Sequence, residues 1–148
     1  VDLATLIRPM LKTLAPRLAS DPVVAEFDVP ATLPRLSADQ AHLRQALLEL
    51  MTNSIDAMPA GGRISVAAQA VNDGRPRVRI TVTDDGPGIP PEIRDRIFQL
   101  FMTTKATGAG VGLAVVRKIL ERHGGSVTLD PTVGRGTRFV LELPAVGG

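Results

Sequence analysis

The sequence predicts an α+β fold: a two-layer α/β sandwich in which helices cover a single face of a mixed sheet. Three observations carry this. Apolar residues recur at helical spacing near the N terminus, through the middle of the chain and after Gly112. Between these runs lie short segments that alternate apolar with polar residues and are bounded by Gly, Pro, Asn and Asp, the pattern of strands. The chain has 148 residues, 44% hydrophobic and 22% charged, which suits one soluble domain with its own core. No internal repeat, low-complexity tract or second domain interrupts it, so residues 1–148 read as one domain.

Taken in order, Leu3, Leu6, Ile7, Met10, Leu11, Leu14 and Leu18 fall on one helical face, with Asp2 as N-cap. Pro9 conflicts with an unbroken helix and predicts a kink or a late start. Val23 to Val29 reads as a short strand, followed by a loop from Pro30 to Pro34. Ser37 with Gln40 three residues on forms a capping box that opens a second helix. That helix runs to about Met58, where Pro59-Ala60-Gly61-Gly62 ends it. It is apolar nearly all round (Leu43, Ala46, Leu47, Leu48, Leu50, Met51, Ile55, Met58), which predicts burial.

Arg63 to Val71 and Arg77 to Thr83 are strands joined by a turn over residues 72–76. The stretch from Gly86 to Gly112 mixes Gly, Pro and Thr with short helical pieces and reads as mobile. Gly112 to His123 is an amphipathic helix stopped by Gly124-Gly125. Ser126 to Leu129 and Thr137 to Leu143 then form a hairpin around Val133 to Gly136.

Composition narrows the function. A formal charge of +2 gives no reason to expect nucleic acid or a membrane surface as partner. The pI of 9.7 reflects arginines scattered along the chain. There is no cysteine, hence no disulfide framework and no thiolate chemistry, in keeping with a cytoplasmic setting. No apolar run is long enough to span a bilayer and no signal-peptide pattern opens the chain. Val1 in place of Met suggests an excised piece of a longer protein.

Two glycine strings concentrate the chemistry: Asp84-Asp85-Gly86-Pro87-Gly88 and Gly108-Ala109-Gly110-Val111-Gly112-Leu113. In the strand before the first, Val78, Ile80 and Val82 share one face, and the alternation carries Asp84 onto that same core-facing side. A buried carboxylate needs donors, and the exocyclic amine of adenine is one. Capping the turn at Gly86 is the alternative. Gly86 and Gly88 let the backbone turn sharply and approach a flat ligand. The second string opens a helix, where free amides and the helix dipole favour phosphate; a flexible loop with an ordinary helix start is the alternative. It is neither a dinucleotide fingerprint, since no strand leads into it, nor a Walker A loop, since Lys-Ser/Thr does not follow.

On the second helix, Glu49 and Asn53 stand one turn apart. A carboxylate and an amide oxygen suit Mg²⁺, which retains most of its waters; a satisfied polar network is the alternative. Lys105, inside the mobile stretch, is a cation that could fold over polyphosphate as the loop closes; a solvated surface lysine is the alternative. Phe98 and Phe101 read as anchors for that stretch. Neither His42 nor His123 has the context of a phosphoacceptor, and capping or surface roles suit both. No zinc cluster or Ser/His/Asp arrangement is present.

These strings resemble the catalytic ATP-binding domain of bacterial sensor histidine kinases, in the superfamily shared with gyrase, heat-shock chaperone and mismatch-repair ATPases. Leu43 to Ser54 is similar to the family's Asn box, Asp84 to Ile89 to its first glycine box, Ile97 to Lys105 to its Phe box. Gly108 to Leu113, with the helix up to His123-Gly124-Gly125, resembles the second glycine box. The resemblance covers almost the whole chain and implies a mixed five-stranded sheet backed by three helices. It implies that Asp84 holds the adenine amine, Asn53 ligates Mg²⁺, and the amides near Gly110 and Gly112 hold phosphate, with residues 89–107 as an ATP lid.

It also implies transfer of the γ-phosphoryl group to a histidine on separate dimerisation helices, for relay to a response regulator. On that reading the chain lacks its own acceptor histidine, is monomeric when isolated and belongs to a cytoplasmic part of a parent that could be membrane-anchored. Two departures stand out. Glu49 occupies a position where many kinases carry Asn and hydrolytic relatives carry a water-activating Glu. Asp56 replaces a Lys that many kinases have three residues after the Asn, which shifts that phosphate contact towards Lys105. An ATP-hydrolysing switch, a non-catalytic nucleotide-binding module and a sigma-factor-restraining serine kinase are the other readings.

Overall fold

The computed structural model describes residues 2–10, 23–30, 32–56, 58, 61–86, 88, 112–130 and 136–145. The first helix, α1, has residues 3–10 as its described part. Asp2 caps it: its Oδ1 accepts from the Thr5 amide at 3.3 Å and its carbonyl from the Leu6 amide at 3.0 Å. The late start that Pro9 suggested does not occur. Leu3, Leu6, Ile7 and Met10 are all buried, and their packing outweighs the backbone bond that Pro9 cannot donate. Residues 11–18 lie outside the described residues.

The remaining elements are β1 (Val23–Asp28), α2 (Gln40–Asp56), β2 (Gly62–Asn72), β3 (Pro76–Asp84), α3 (Gly112–Arg122), β4 (Ser126–Leu129) and β5 (Thr137–Pro144). They make one five-stranded sheet in the order β1-β2-β3-β5-β4. β1 runs parallel to β2, with α2 as the crossover that a parallel pair requires; every other neighbour is antiparallel. The sheet is therefore mixed, as expected, and each strand lies within a residue or two of its expected bounds.

The sheet has two unlike faces. Val78, Ile80 and Val82 of β3 and Phe139, Leu141 and Leu143 of β5 are buried against Leu43, Leu47, Leu50 and Met51 of α2 and Val116 and Leu120 of α3. Full burial of each such side chain contributes about 1.5–3 kcal/mol. The other face is polar. There Arg79 Nε donates to Glu142 Oε2 across a register pair at 2.8 Å, and Arg138 Nε donates to Thr83 Oγ1 at 3.1 Å.

Two details of the helices correct the expectations. The cap of α2 is Asp39, not the Ser37–Gln40 box: Asp39 Oδ1 accepts from the His42 amide at 3.0 Å. Leu36 bridges Ala145, and the Ser37 amide donates to the Pro144 carbonyl, which keeps Ser37 at the sheet's end. Nor is α2 buried all round. His42, Arg44 and Gln45 are exposed, because only one side of the helix meets the sheet. α3 ends as expected, in a Schellman turn: Gly124 has φ 74°, and the Gly125 amide reaches the Leu120 carbonyl at 2.8 Å.

Both histidines serve this helix pair. His123 Nδ1 lies 2.7 Å from the Ile119 carbonyl, and its Nε2 accepts from the Asp39 amide at 3.1 Å. The two bonds together require the neutral tautomer with the proton on Nδ1. The ring thus joins the end of α3 to the cap of α2. His42 meets it edge-on at 6.0 Å.

Candidate nucleotide site

Strand alternation delivers Asp84 to the core face at the last residue of β3, where it is only 5% exposed. Its Oδ1 accepts from the Gly86 amide at 2.9 Å, so the turn cap is made. Burial pushes its carboxyl above the usual carboxylate range. The Gly86 amide, the Ser54 hydroxyl and the Thr137 amide pull it back down, while the charge of Asp85 pushes it up. The Ser54 hydroxyl lies against Asp84 without completing a hydrogen bond, which leaves Ser54 Oγ a buried polar atom with open bonding capacity.

That serine belongs to α2, directly after Asn53. Glu49 and Asn53 are half-buried on the same helix. Neither side chain is bonded to another among the described residues. No three His, Cys, Asp or Glu gather into a metal cluster among the described residues. A cation here would depend on ligand oxygens and water beside Asn53 and Glu49, which is how Mg²⁺ is ordinarily held.

Sequence reasoning missed Gly136 and Thr137. Thr137 is the register partner of Asp84 and is buried like it. Gly136 has φ 81°, and a Cβ there would run into the Asp84 carbonyl. Gly88 has φ 82°, and a Cβ on it would lie 3.1 Å from the Gly136 carbonyl. The backbone of Gly136 therefore packs on the backbone carbonyl of Asp84, and Gly88 closes over Gly136 in turn. The signal was available: the alternation Thr137, Phe139, Leu141, Leu143 puts Thr137 on the core face by the rule that placed Asp84 there.

The structure brings together Asp84, Gly86, Gly88, Ser54 and Thr137. Gly112 begins α3, and Leu113 is half-buried against the core. Lys105, Gly108, Gly110, Val111, Phe98, Phe101 and the expected lid at 89–107 lie outside the described residues.

A buried carboxylate at the end of a core strand, with glycine backbone packed against its residue, thus sits in a two-layer α+β domain. The chain belongs to the family described as histidine kinase-, DNA gyrase B- and HSP90-like ATPase, which it matches over residues 38–147. It is 42% identical to the sensor histidine kinase ZraS of Escherichia coli (strain K12) over 97% of its own length and 30% of that protein's. Among solved structures it resembles full-length ShkA in complex with AMPPNP, with a TM-score of 0.86 and 35% identity, covering 100% of this chain and 31% of that one. It also resembles histidine kinase ThkA in complex with the response regulator protein TrrA, with a TM-score of 0.81, 28% identity, and coverage of 99% and 41%. The chain spans about a third of the curated relatives it matches. It is thus an ATP-binding domain of the sensor histidine kinase type, and among the described residues no helix is long and apolar enough to cross a membrane.

Proposed function

We propose that this chain binds Mg²⁺-ATP and transfers the γ-phosphoryl group to a histidine on a separate dimerisation domain, for relay to a response regulator. The observation that carries the reading is Asp84: a buried, core-facing carboxylate beside an unsatisfied Ser54 hydroxyl. Adenine presents an amine donor and a ring-nitrogen acceptor side by side, matching a carboxylate next to a hydroxyl. The ShkA complex with AMPPNP, an adenine nucleotide analogue, supports the same ligand.

In this reading Asp84, Gly86 and Gly88 seat the base. The amides around Gly108, Gly110, Val111, Gly112 and Leu113 receive phosphate, and Lys105 adds a cation to it. Asn53, with Glu49 beside it, would hold Mg²⁺, which when bound neutralises charge on the phosphates. Glu49 orients water or accepts the proton of the incoming imidazole. The acceptor helices and the regulator belong to other parts of the relay, in keeping with the ThkA–TrrA complex.

Hydrolysis is the second reading, favoured by Glu49. Incubation with γ-labelled ATP and an acceptor-helix domain in trans separates the two. Label on histidine, with negligible free phosphate from the chain alone, supports the kinase. Glu49→Gln should then slow transfer roughly 10²–10⁴-fold with little loss of ATP affinity. Brisk release of phosphate, abolished by Glu49→Gln, would establish the hydrolase instead. Lys105→Ala should weaken binding of ATP much more than of adenosine, read by calorimetry.

A further inference from the structure

We propose that Asp85 is a positioning residue for the nucleotide site: its carboxylate clamps the Arg63 amide and thereby holds the aim of Asp84. The proposal rests on the reading of Asp84 as the group that recognises adenine. The ladder between β2 and β3 closes at the pair Ile64 and Asp84. One residue further on the chain must leave the sheet to turn at Gly86, so a regular ladder cannot hold Asp84 from that side. Asp85 supplies the missing pair by mixed means. Its amide donates to the Arg63 carbonyl at 3.3 Å, and its Oδ1 accepts from the Arg63 amide at 2.8 Å. A side chain thus replaces the carbonyl that the turn has carried away.

The surroundings are shaped to admit that carboxylate. A Cβ on Gly62 would lie 2.5 Å from Asp85 Oδ1 and 2.5 Å from the sulfur of Met58. Met58 is buried just past the end of α2, the helix that carries Glu49, Asn53 and Ser54. The absent side chain at Gly62 lets Met58 beyond α2 and the Asp85 carboxylate beyond β3 both pack against the start of β2. On its other flank Asp84 is tied to Gly86 and packed under Gly136. Removing the clamp frees one flank of a carboxylate whose recognition of an amine depends on direction. Asp85 is itself exposed, so its loss leaves the core intact.

The test is calorimetric binding of ATP and of GTP, each with Mg²⁺, to the wild-type chain, Asp85→Ala, Asp85→Asn and Asp84→Asn. Asp85→Ala should weaken ATP binding roughly 10-fold, the worth of one good hydrogen bond, while leaving GTP binding unchanged, so that the preference for adenine falls by the same factor. Asp85→Asn keeps an oxygen acceptor and should restore both affinity and preference to within about twofold. Hydrogen exchange at the Arg63 amide should accelerate in Asp85→Ala and stay slow in Asp85→Asn. If Asp84→Asn abolishes the preference but Asp85→Ala keeps it, the clamp is overturned and the nucleotide reading stands. If Asp84→Asn itself keeps the preference, the adenine reading is overturned, and the clamp with it.

Discussion

On the proposed reading, Asp84 sets binding against stability. Its carboxyl is raised above the ordinary carboxylate value, chiefly by burial. Between its unfolded and folded pKa values the native state therefore binds more protons than the unfolded chain, and stability falls as pH rises through that window. Asp84→Asn removes this penalty while retaining an oxygen for the Gly86 amide. The expected result is a higher Tm at neutral pH without nucleotide, together with ATP affinity weakened by a few kcal/mol from loss of a buried charge-assisted bond. Thermal melts at pH 4 and 7 beside calorimetry check both halves; a lower Tm at pH 7 would show that the buried charge is fully compensated. Gly136 is the neighbour that tolerates least. Gly136→Ala adds a Cβ against the Asp84 carbonyl at positive φ, and should cost more than about 2 kcal/mol in denaturant unfolding.

The α2–α3 joint depends on Asp39. Its side chain caps α2 through the His42 amide, while its own amide donates to His123. The bond from the His42 amide holds its carboxyl below the usual range, so its stabilisation is present above that range and fades as pH falls through the folded value. Asp39→Ala should lower Tm by roughly 2–6 °C at pH 7 and leave it nearly unchanged at pH 2; Asp39→Asn should match wild type more closely at pH 7. A capping role for His123 was among the expectations, but neither its partner nor the Asp39 cap was legible beforehand. Ser37 with Gln40 satisfies the capping-box pattern, and only the pairing of residues 36 and 37 with the end of β5 rules it out. The link from His123 to Asp39 joins residues whose proximity follows from helix packing, which periodicity does not report. The Gly124-Gly125 stop was readable because it obeys a local rule.

The sheet and the core were legible for a related reason. Period-two alternation in β3 and β5 states which side is buried, and a strand face extends unchanged to its last residue, which is why Asp84 could be placed. Strand order and the seat of Thr137 beside Asp84 were not, since pairing partners leave no mark on either strand alone. Truncation in this core should be felt throughout: Leu120→Ala, at a fully buried position of α3, is expected to cost about 2–5 kcal/mol in urea unfolding.

Strand order also dictates when the proposed nucleotide pocket can exist during folding. β2 and β3 close as a local hairpin, whereas β1 must wait for α2 to bridge the crossover. Asp84 acquires Thr137 as neighbour only when β5 inserts between β3 and β4, the most distant pairing to reach the site. A ligand whose seat forms last has nothing to hold in the early chain, so it stabilises the finished fold without guiding its assembly. Saturating Mg²⁺-ATP should therefore slow unfolding while leaving the refolding rate unchanged in stopped-flow. During synthesis, a nascent chain stalled before Thr137 should retain no ATP, however complete its helices.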